Sequence, residues 1–271
     1  MIKYSLVMKM FIKLNNTKNT RSLSDLINKD GLSIKKHYLI RSDALNKLSD
    51  QDKDVLKNTF HLKRVIDLRC ETETKNSPDV KIEGVKLYLN PILPANRVGV
   101  TKKGNDEDDF KDFIEAIYAS GVSSSMDFMT KVYREIVTED FSNAAYERFL
   151  KILLEDIGGA TLWHCSAGKD RAGFATILVL YLLDFKMEDI IEDYLSTNLF
   201  YQNSIQEFIK LYGQEYSNVL EVVFGVCREY IDALFNEINL HYGNLDNYIY
   251  QGLHFTKEEQ RILKEIYLEE R

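Results

Sequence analysis

The sequence predicts an α/β fold, with a central mainly parallel sheet flanked by helices and a helical C-terminal elaboration. Three observations predict it. Short β-branched or apolar runs alternate with stretches in which apolar residues recur every three or four positions, the pattern of strands joined through helices. One such run, Thr161-Leu162-Trp163, leads straight into a glycine-containing loop and then a long apolar helix. From Met187 to Arg271 the pattern is almost entirely helical. With 271 residues, 45% of them hydrophobic and 28% charged, the chain is long enough for one large core. A single domain over residues 1–271 is expected, with 1–15 a ragged leader or edge strand and 187–271 the helical part of the same domain.

Taken in order, the leader MIKYSLVMKMFIKL is apolar but interrupted by Lys3, Lys9 and Lys13, and no small-residue cleavage site follows. Cytoplasmic residence is the expectation, with secretion lacking a cleavable signal left open. A helix is expected around Ala44 to Asn58, with Ser42 and Asp43 offering caps. Val65 to Leu68 reads as a buried strand and Val85 to Ile92 as a second, which Pro91 and Pro94 terminate. Asn96 to Asp109, with two glycines and an acidic run, reads as an exposed loop. Phe128 to Val137 and Ala145 to Leu154 read as helices, the latter stopped by Gly158 and Gly159. Beyond Phe174, the spacing of Ile177, Leu178, Tyr181, Leu182 and Phe185 keeps one apolar face.

Composition excludes several classes. A formal charge of -7 and a pI near 5.4 argue against a broad nucleic-acid surface, which needs a positive face. Phe174 to Leu183, the longest apolar run, is about half the roughly 20 residues of a membrane-spanning helix. Cys70, Cys165 and Cys227 are odd in number and lack CxxC or metal-type spacing, so neither a disulfide framework nor a zinc site is indicated.

The chemistry sits in His164 to Gly173, HCSAGKDRAG. Ser166, Ala167, Gly168, Lys169 and Asp170 separate Cys165 from Arg171, and a helix follows at once. A tight turn of backbone N–H groups ahead of a helix N-terminus makes a phosphate-sized cradle. The same field stabilises a thiolate, so Cys165 is expected to be anionic at neutral pH and able to attack phosphorus. The planar fork of Arg171 can hold two phosphoryl oxygens through the transition state. Gly168 permits a backbone that a side chain would obstruct. His164 suits an orienting role, and Lys169 adds a second cation that is either solvated or directed at substrates with more than one phosphate. The nucleophile and the clamp need no metal and no cofactor.

HCSAGKDRAG resembles the HCxxGxxR signature of protein tyrosine phosphatases, and its GKDR form resembles an atypical bacterial family that includes mycobacterial and listerial secreted phosphatases acting on phosphotyrosine and phosphoinositides. The similarity extends to Asn19 to Leu23 (NTRSL), Arg41-Ser42, Asp67-Leu68-Arg69, Asp193-Tyr194-Leu195 and Tyr242-Gly243. It implies a protein-tyrosine-phosphatase-like fold and a phosphorylated protein, phosphoinositide or inositol phosphate as substrate. It further implies Cys165 as nucleophile, Arg171 as phosphate clamp, and Lys169 with Asp170 as loop residues tied to broad substrate choice.

Two departures stand out. Such phosphatases usually carry Ser or Thr after the arginine, where the hydroxyl helps sulfur leave during hydrolysis of the phosphoenzyme; here the residue is Ala172. No WPD-like triplet supplies a general acid, and Leu93-Pro94-Ala95 lacks the aspartate that some relatives carry there. Asp170 and then Asp67 are the candidates for the acid, each with a structural role as its alternative. Asp106, Glu107, Asp108 and Asp109 read as a solvated loop rather than a lid. Arg41 and Arg69 read equally as head-group contacts or structural ion pairs, and the aromatic residues of Tyr194 to Phe208 as core. A module that binds phosphate with little turnover is the competing function, and a sulfur-transfer enzyme fits Arg171 and Lys169 less well.

Overall fold

The computed structural model describes residues 10–24, 26–95 and 123–270. Strands β1 (Arg21–Ser22), β3 (Leu39–Ser42), β4 (Leu62–Asp67), β5 (Lys86–Leu89) and β6 (Ala160–His164) form one sheet in the order β1-β3-β6-β4-β5. The last four run parallel, and β1 pairs antiparallel with β3. Ser42, His164 and Asp67 are register partners, so the carboxyl ends of the three central strands lie side by side. Ligands of parallel sheets bind at this edge.

Side-chain alternation builds two cores from one sheet. Leu39, Ile66 and Trp163 point into the larger cluster, while Ile40, Val65 and Leu162 point into the smaller one on the other face. Helices α3 (Ser125–Thr138), α4 (Asp140–Leu153), α5 (Arg171–Leu182), α6 (Met187–Tyr212), α7 (Ser217–Phe224), α8 (Arg228–Tyr242) and α9 (Lys257–Tyr267) all place residues in the larger cluster. The smaller is closed by Leu45 and Leu48, which precede α1 (Asp50–Asp54), and by Leu56 in the π-helical turn Val55–Thr59 that follows it. The short helix α2 (Glu71–Asn76) follows β4, and a single helical turn, Leu245–Asn247, continued by the π-helical Tyr248–Gly252, lies between α8 and α9. None of the helices among the described residues is long and apolar enough to cross a membrane.

The architecture is the mixed α/β one that the sequence predicts, with differences of detail. The first helix starts later than Ala44: Ser49 caps it in a reciprocal box with Asp52. Ser42 ends β3 instead, and the Asp43 carboxylate accepts the N–H groups of Lys18 and Asn19. The strand Leu39–Ser42 escaped notice because it is four residues long and holds a buried arginine. Helix α5 is buried on all sides, Tyr181 being its one half-exposed residue, so its apolar spacing is a whole cylinder rather than a face. The C-terminal region, read as helical throughout, closes with β7 (Leu268–Glu269), which pairs antiparallel with β2 (Ser33–Ile34). Within the leader, Met10, Ile12 and Leu14 are packed into the two cores. The acidic run Asp106 to Asp109 lies outside the described residues.

Candidate active site

Strand β6 ends at His164 and α5 begins at Arg171, so Cys165 to Asp170 turn directly above the sheet's carboxyl edge. The turn's carbonyls are tied to the surrounding structure. Asn19 Nδ2 donates to those of Ala167 and Gly168 at 3.2 and 3.1 Å, Arg41 Nη2 to Gly168 at 2.7 Å, and the Tyr201 hydroxyl to Ala167 at 2.7 Å. The Ser166 carbonyl accepts the Ala44 N–H at 3.1 Å. By contrast, no acceptor among the described residues takes the backbone N–H groups of Ser166 to Asp170. With the carbonyls held outward, these donors and the first turn of α5 remain for an anion.

Gly168 is required for this geometry. Its φ is +66°, and a Cβ there would lie 2.3 Å from the Ser42 carbonyl oxygen. The loop therefore rests directly on the end of β3.

Arg171 is aimed by Glu73, which the sequence reading missed. Its guanidinium makes two parallel bonds to the carboxylate, Nη1 to Oε2 at 2.6 Å and Nη2 to Oε1 at 2.9 Å. Glu73 is fixed in turn by the Cys70 N–H at 2.9 Å and by the Ser166 hydroxyl. Burial opposes the charge of Glu73, but Arg171 and Ser166 outweigh it and hold the carboxyl down at about 2. Burial likewise works against the Arg171 charge, yet Glu73 and Cys165 leave the group well above the ordinary arginine value. Glu73 stands at the third position of α2 and its carboxylate caps the Cys70 N–H, but no helix is read there from the sequence, because the capping position holds Cys70 in place of the usual Ser or Thr.

Cys165 is buried, with 1% of its surface exposed, and all three cysteines are free thiols. Asp170 sits at the start of α5 with its carboxylate on the Tyr133 hydroxyl at 2.6 Å and the Lys169 ammonium at 3.0 Å. The Tyr194 hydroxyl lies 2.7 Å from that of Tyr133. Lys169 is neither solvated nor open to a ligand in this conformation: it is fully buried and also donates to the Gly225 carbonyl at 3.2 Å.

Asp67 ends β4 beside His164, and its carboxylate is taken up by Arg69. Both of its oxygens accept the Arg69 guanidinium, and one also accepts the Arg69 N–H. Asp79, absent from the sequence reading, takes the same guanidinium at 2.7 Å and His164 Nε2 at 2.7 Å. Ligand atoms of Asp67, Asp79 and His164 fall within 4.8 Å of one another, but Arg69, bonded to both carboxylates, already supplies the positive charge there. Arg41 is likewise structural. It shares the buried Asp193 carboxylate with Arg21, at 2.7 and 2.8 Å. Burial and then Arg21 pull the Arg41 guanidinium down to about 10. Both arginines are thus internal ion pairs.

Apart from Tyr242-Gly243, which lies at the end of α8 against Tyr248, the short segments that carry the resemblance converge on one object. Asn19, Arg21, Arg41 and Asp193 form the bed of the loop, and Asp67 with Arg69 flanks it. Residues 12–269 match the tyrosine phosphatase family. A protein of Cupriavidus necator named as a tyrosine-protein phosphatase is 29% identical over 243 residues, covering 87% of this chain and 81% of its own. The triple specificity protein phosphatase PtpB of Mycobacterium tuberculosis is 26% identical over 234 residues, 78% of this chain and 84% of its own. A tyrosine-protein phosphatase of Nostoc commune is 26% identical over 157 residues, 57% of this chain and 46% of its own. With its cysteine-to-arginine loop seated at the sheet edge and the match spanning nearly the whole sequence, the chain belongs to the tyrosine phosphatase family.

Proposed function

We propose that the chain hydrolyses phosphomonoesters, phosphotyrosine in proteins and also phosphoinositides, through a phosphocysteine on Cys165. The observation that carries this reading is the loop itself: backbone donors with no acceptor among the described residues and a guanidinium fixed by Glu73 accompany Cys165, which is placed between the end of β6 and the N-terminus of α5. The Cys165 thiolate attacks phosphorus and forms the S–P bond as the ester O–P bond breaks. The departing oxygen takes a proton from Asp170, whose carboxyl lies at the rim of the loop with 12% of its side chain exposed. Arg171 and the loop N–H groups follow the three phosphoryl oxygens as charge redistributes. Water then attacks phosphorus, Asp170 accepts its proton, the S–P bond breaks and inorganic phosphate leaves.

Asp170 is preferred to Asp67 because Arg69 occupies both Asp67 oxygens. Broad substrate choice is supported by the triple specificity in the name of the mycobacterial relative. A head group with several phosphates would recruit Lys169 by drawing its ammonium away from the Gly225 carbonyl.

The test is a panel of phosphotyrosine peptide, phosphoserine peptide and phosphoinositides, run on wild type, Cys165→Ser and Lys169→Ala. Cys165→Ser is expected to abolish all release while retaining vanadate binding, and Lys169→Ala to lose the multiply phosphorylated substrates selectively. Turnover by Cys165→Ser at the wild-type rate would remove the nucleophile assignment. Wild-type release no greater than that of Cys165→Ser, with vanadate still bound, would make the loop a binding module.

A further inference from the structure

The imidazole of His164 is completely buried, and both of its nitrogens face acceptors. Nε2 lies 2.7 Å from Asp79 Oδ2 and Nδ1 lies 3.1 Å from the backbone carbonyl of Cys165. A neutral imidazole carries one N–H and can satisfy only one of them; an imidazolium satisfies both. Asp79 has no proton to offer in return. Its other oxygen accepts Arg69 Nη2 at 2.7 Å and the Leu45 N–H at 3.3 Å.

The charge count of the pocket agrees. The groups facing His164 are Asp67, with an oxygen 3.8 Å from Nε2, Asp79, Arg69 and, from the end of β3, Asp43. Of these, Asp67, Asp79 and Arg69 are in contact with the ring or with each other, two negative charges to one positive, so this contacting set balances only when His164 is protonated. Burial without a compensating charge is costly, which favours that balanced state. Burial by itself would lower the His164 value, yet Asp67 and Asp79 leave it above the ordinary histidine range. Burial raises the Asp43 value, and its oxygens are occupied by the Lys18 and Asn19 N–H groups, so it is the lesser contributor.

We infer that Asp79 is a positioning residue for the nucleophile: it holds His164 as an imidazolium hydrogen-bonded to the Cys165 carbonyl, and so fixes a cation one residue from the reacting sulfur. Asp79 reaches this place from the loop after Pro78 and touches neither the phosphate cradle nor Arg171. The inference rests on the assignment of Cys165 as nucleophile and extends it to what keeps the thiolate available at low pH.

The experiment is the pH dependence of iodoacetamide alkylation, with the adduct located by peptide mass spectrometry, on wild type, Asp79→Asn, Asp79→Glu and Cys165→Ser. In Asp79→Asn, alkylation of Cys165 at pH 5.5 is expected to fall about tenfold, the scale on which an adjacent opposite charge acts. The two curves should converge above about pH 9, where a thiol is ionised in either case. Asp79→Glu should restore most of the low-pH rate. Superimposable wild-type and Asp79→Asn curves would reduce Asp79 to a purely structural partner. Should Asp79→Asn fail to fold, the nitrogen chemical shifts of His164 in wild type decide: imidazolium at pH 7 supports the assignment and a neutral ring overturns it. Aryl phosphatase activity surviving in Cys165→Ser would instead show that the nucleophile assignment had failed.

Discussion

At the scale of single residues, the site turns on which atoms carry charge and which positions lack it. Ala172 lies fully buried in the first turn of α5, with its carbonyl accepting from the Thr176 hydroxyl at 2.8 Å and Trp163 Nε1 at 3.3 Å, and it offers no hydroxyl to the sulfur that would depart in the proposed phosphocysteine route. The second chemical step is therefore expected to be slow. Rapid mixing with an aryl phosphate should show a stoichiometric burst before steady turnover, and Ala172→Ser should shrink the burst and raise kcat about tenfold; linear release from time zero in wild type contradicts this. Glu73 gives a second prediction. Its carboxyl, near 4.5 when unperturbed, is held at about 2 in the folded chain, so the charged form stabilises the fold above pH 4.5 and that contribution is lost as pH falls toward 2. The scale is about 3 kcal/mol. Urea unfolding should therefore find Glu73→Gln less stable than wild type at pH 6, with the gap closing below pH 4. A gap independent of pH would mean that the carboxylate charge is not what holds Arg171.

At the scale of elements, the sequence was most legible where the signal is contiguous. HCSAGKDRAG carries its strand end, turn and helix start within one decade of residues, and local periodicity located β4, α3, α4 and α5. It was least legible where a loop residue depends on something far along the chain. Lys169 is such a case: charge alone suggested solvent or substrate, but the connection between α7 and α8 passes close enough for the Gly225 carbonyl to take its ammonium across 56 positions. Asn198 on α6 holds the same connection through both the N–H and the carbonyl of Val226, at 2.8 and 2.7 Å. The helical cover over the loop is thus pinned at adjacent residues by one lysine and one amide. Lys169→Met should lower stability by about 2 kcal/mol, the scale of a hydrogen bond to a charged group. It should also speed amide hydrogen exchange selectively in residues 213–228. Uniform exchange changes, or none, would show that the lysine does not secure the cover.

Across the whole molecule, one buried carboxylate joins the N-terminal segment, the sheet and the long helix beneath the loop. Asp193 on α6 binds Arg21 of β1 across 172 positions and Arg41 of β3 across 152, and Arg41 passes the connection on to the Gly168 carbonyl. The motifs containing these residues were visible in the sequence, but their mutual contact was not, since separations of that length carry no periodic signal. The energetics follow from burial. Two guanidiniums share one carboxylate in a dry interior, and removing the shared partner leaves like charges facing each other, which costs about 3–5 kcal/mol when a buried pair is broken. Asp193→Asn keeps the shape and removes the charge, so it should lower the urea midpoint sharply at pH 7. The pH dependence of that loss identifies its cause. Arg41 already stands near 10 because burial and Arg21 oppose its charge, and Asp193 is what partly restores it. Without Asp193 the folded-state value drops further while the unfolded value stays near 12.5, so the unfolded chain binds more protons and stability rises with pH through that window. The deficit of Asp193→Asn relative to wild type should accordingly be largest near neutral pH and narrow by pH 10. A deficit that stays constant over that range would assign the loss to packing instead of to two unneutralised arginines.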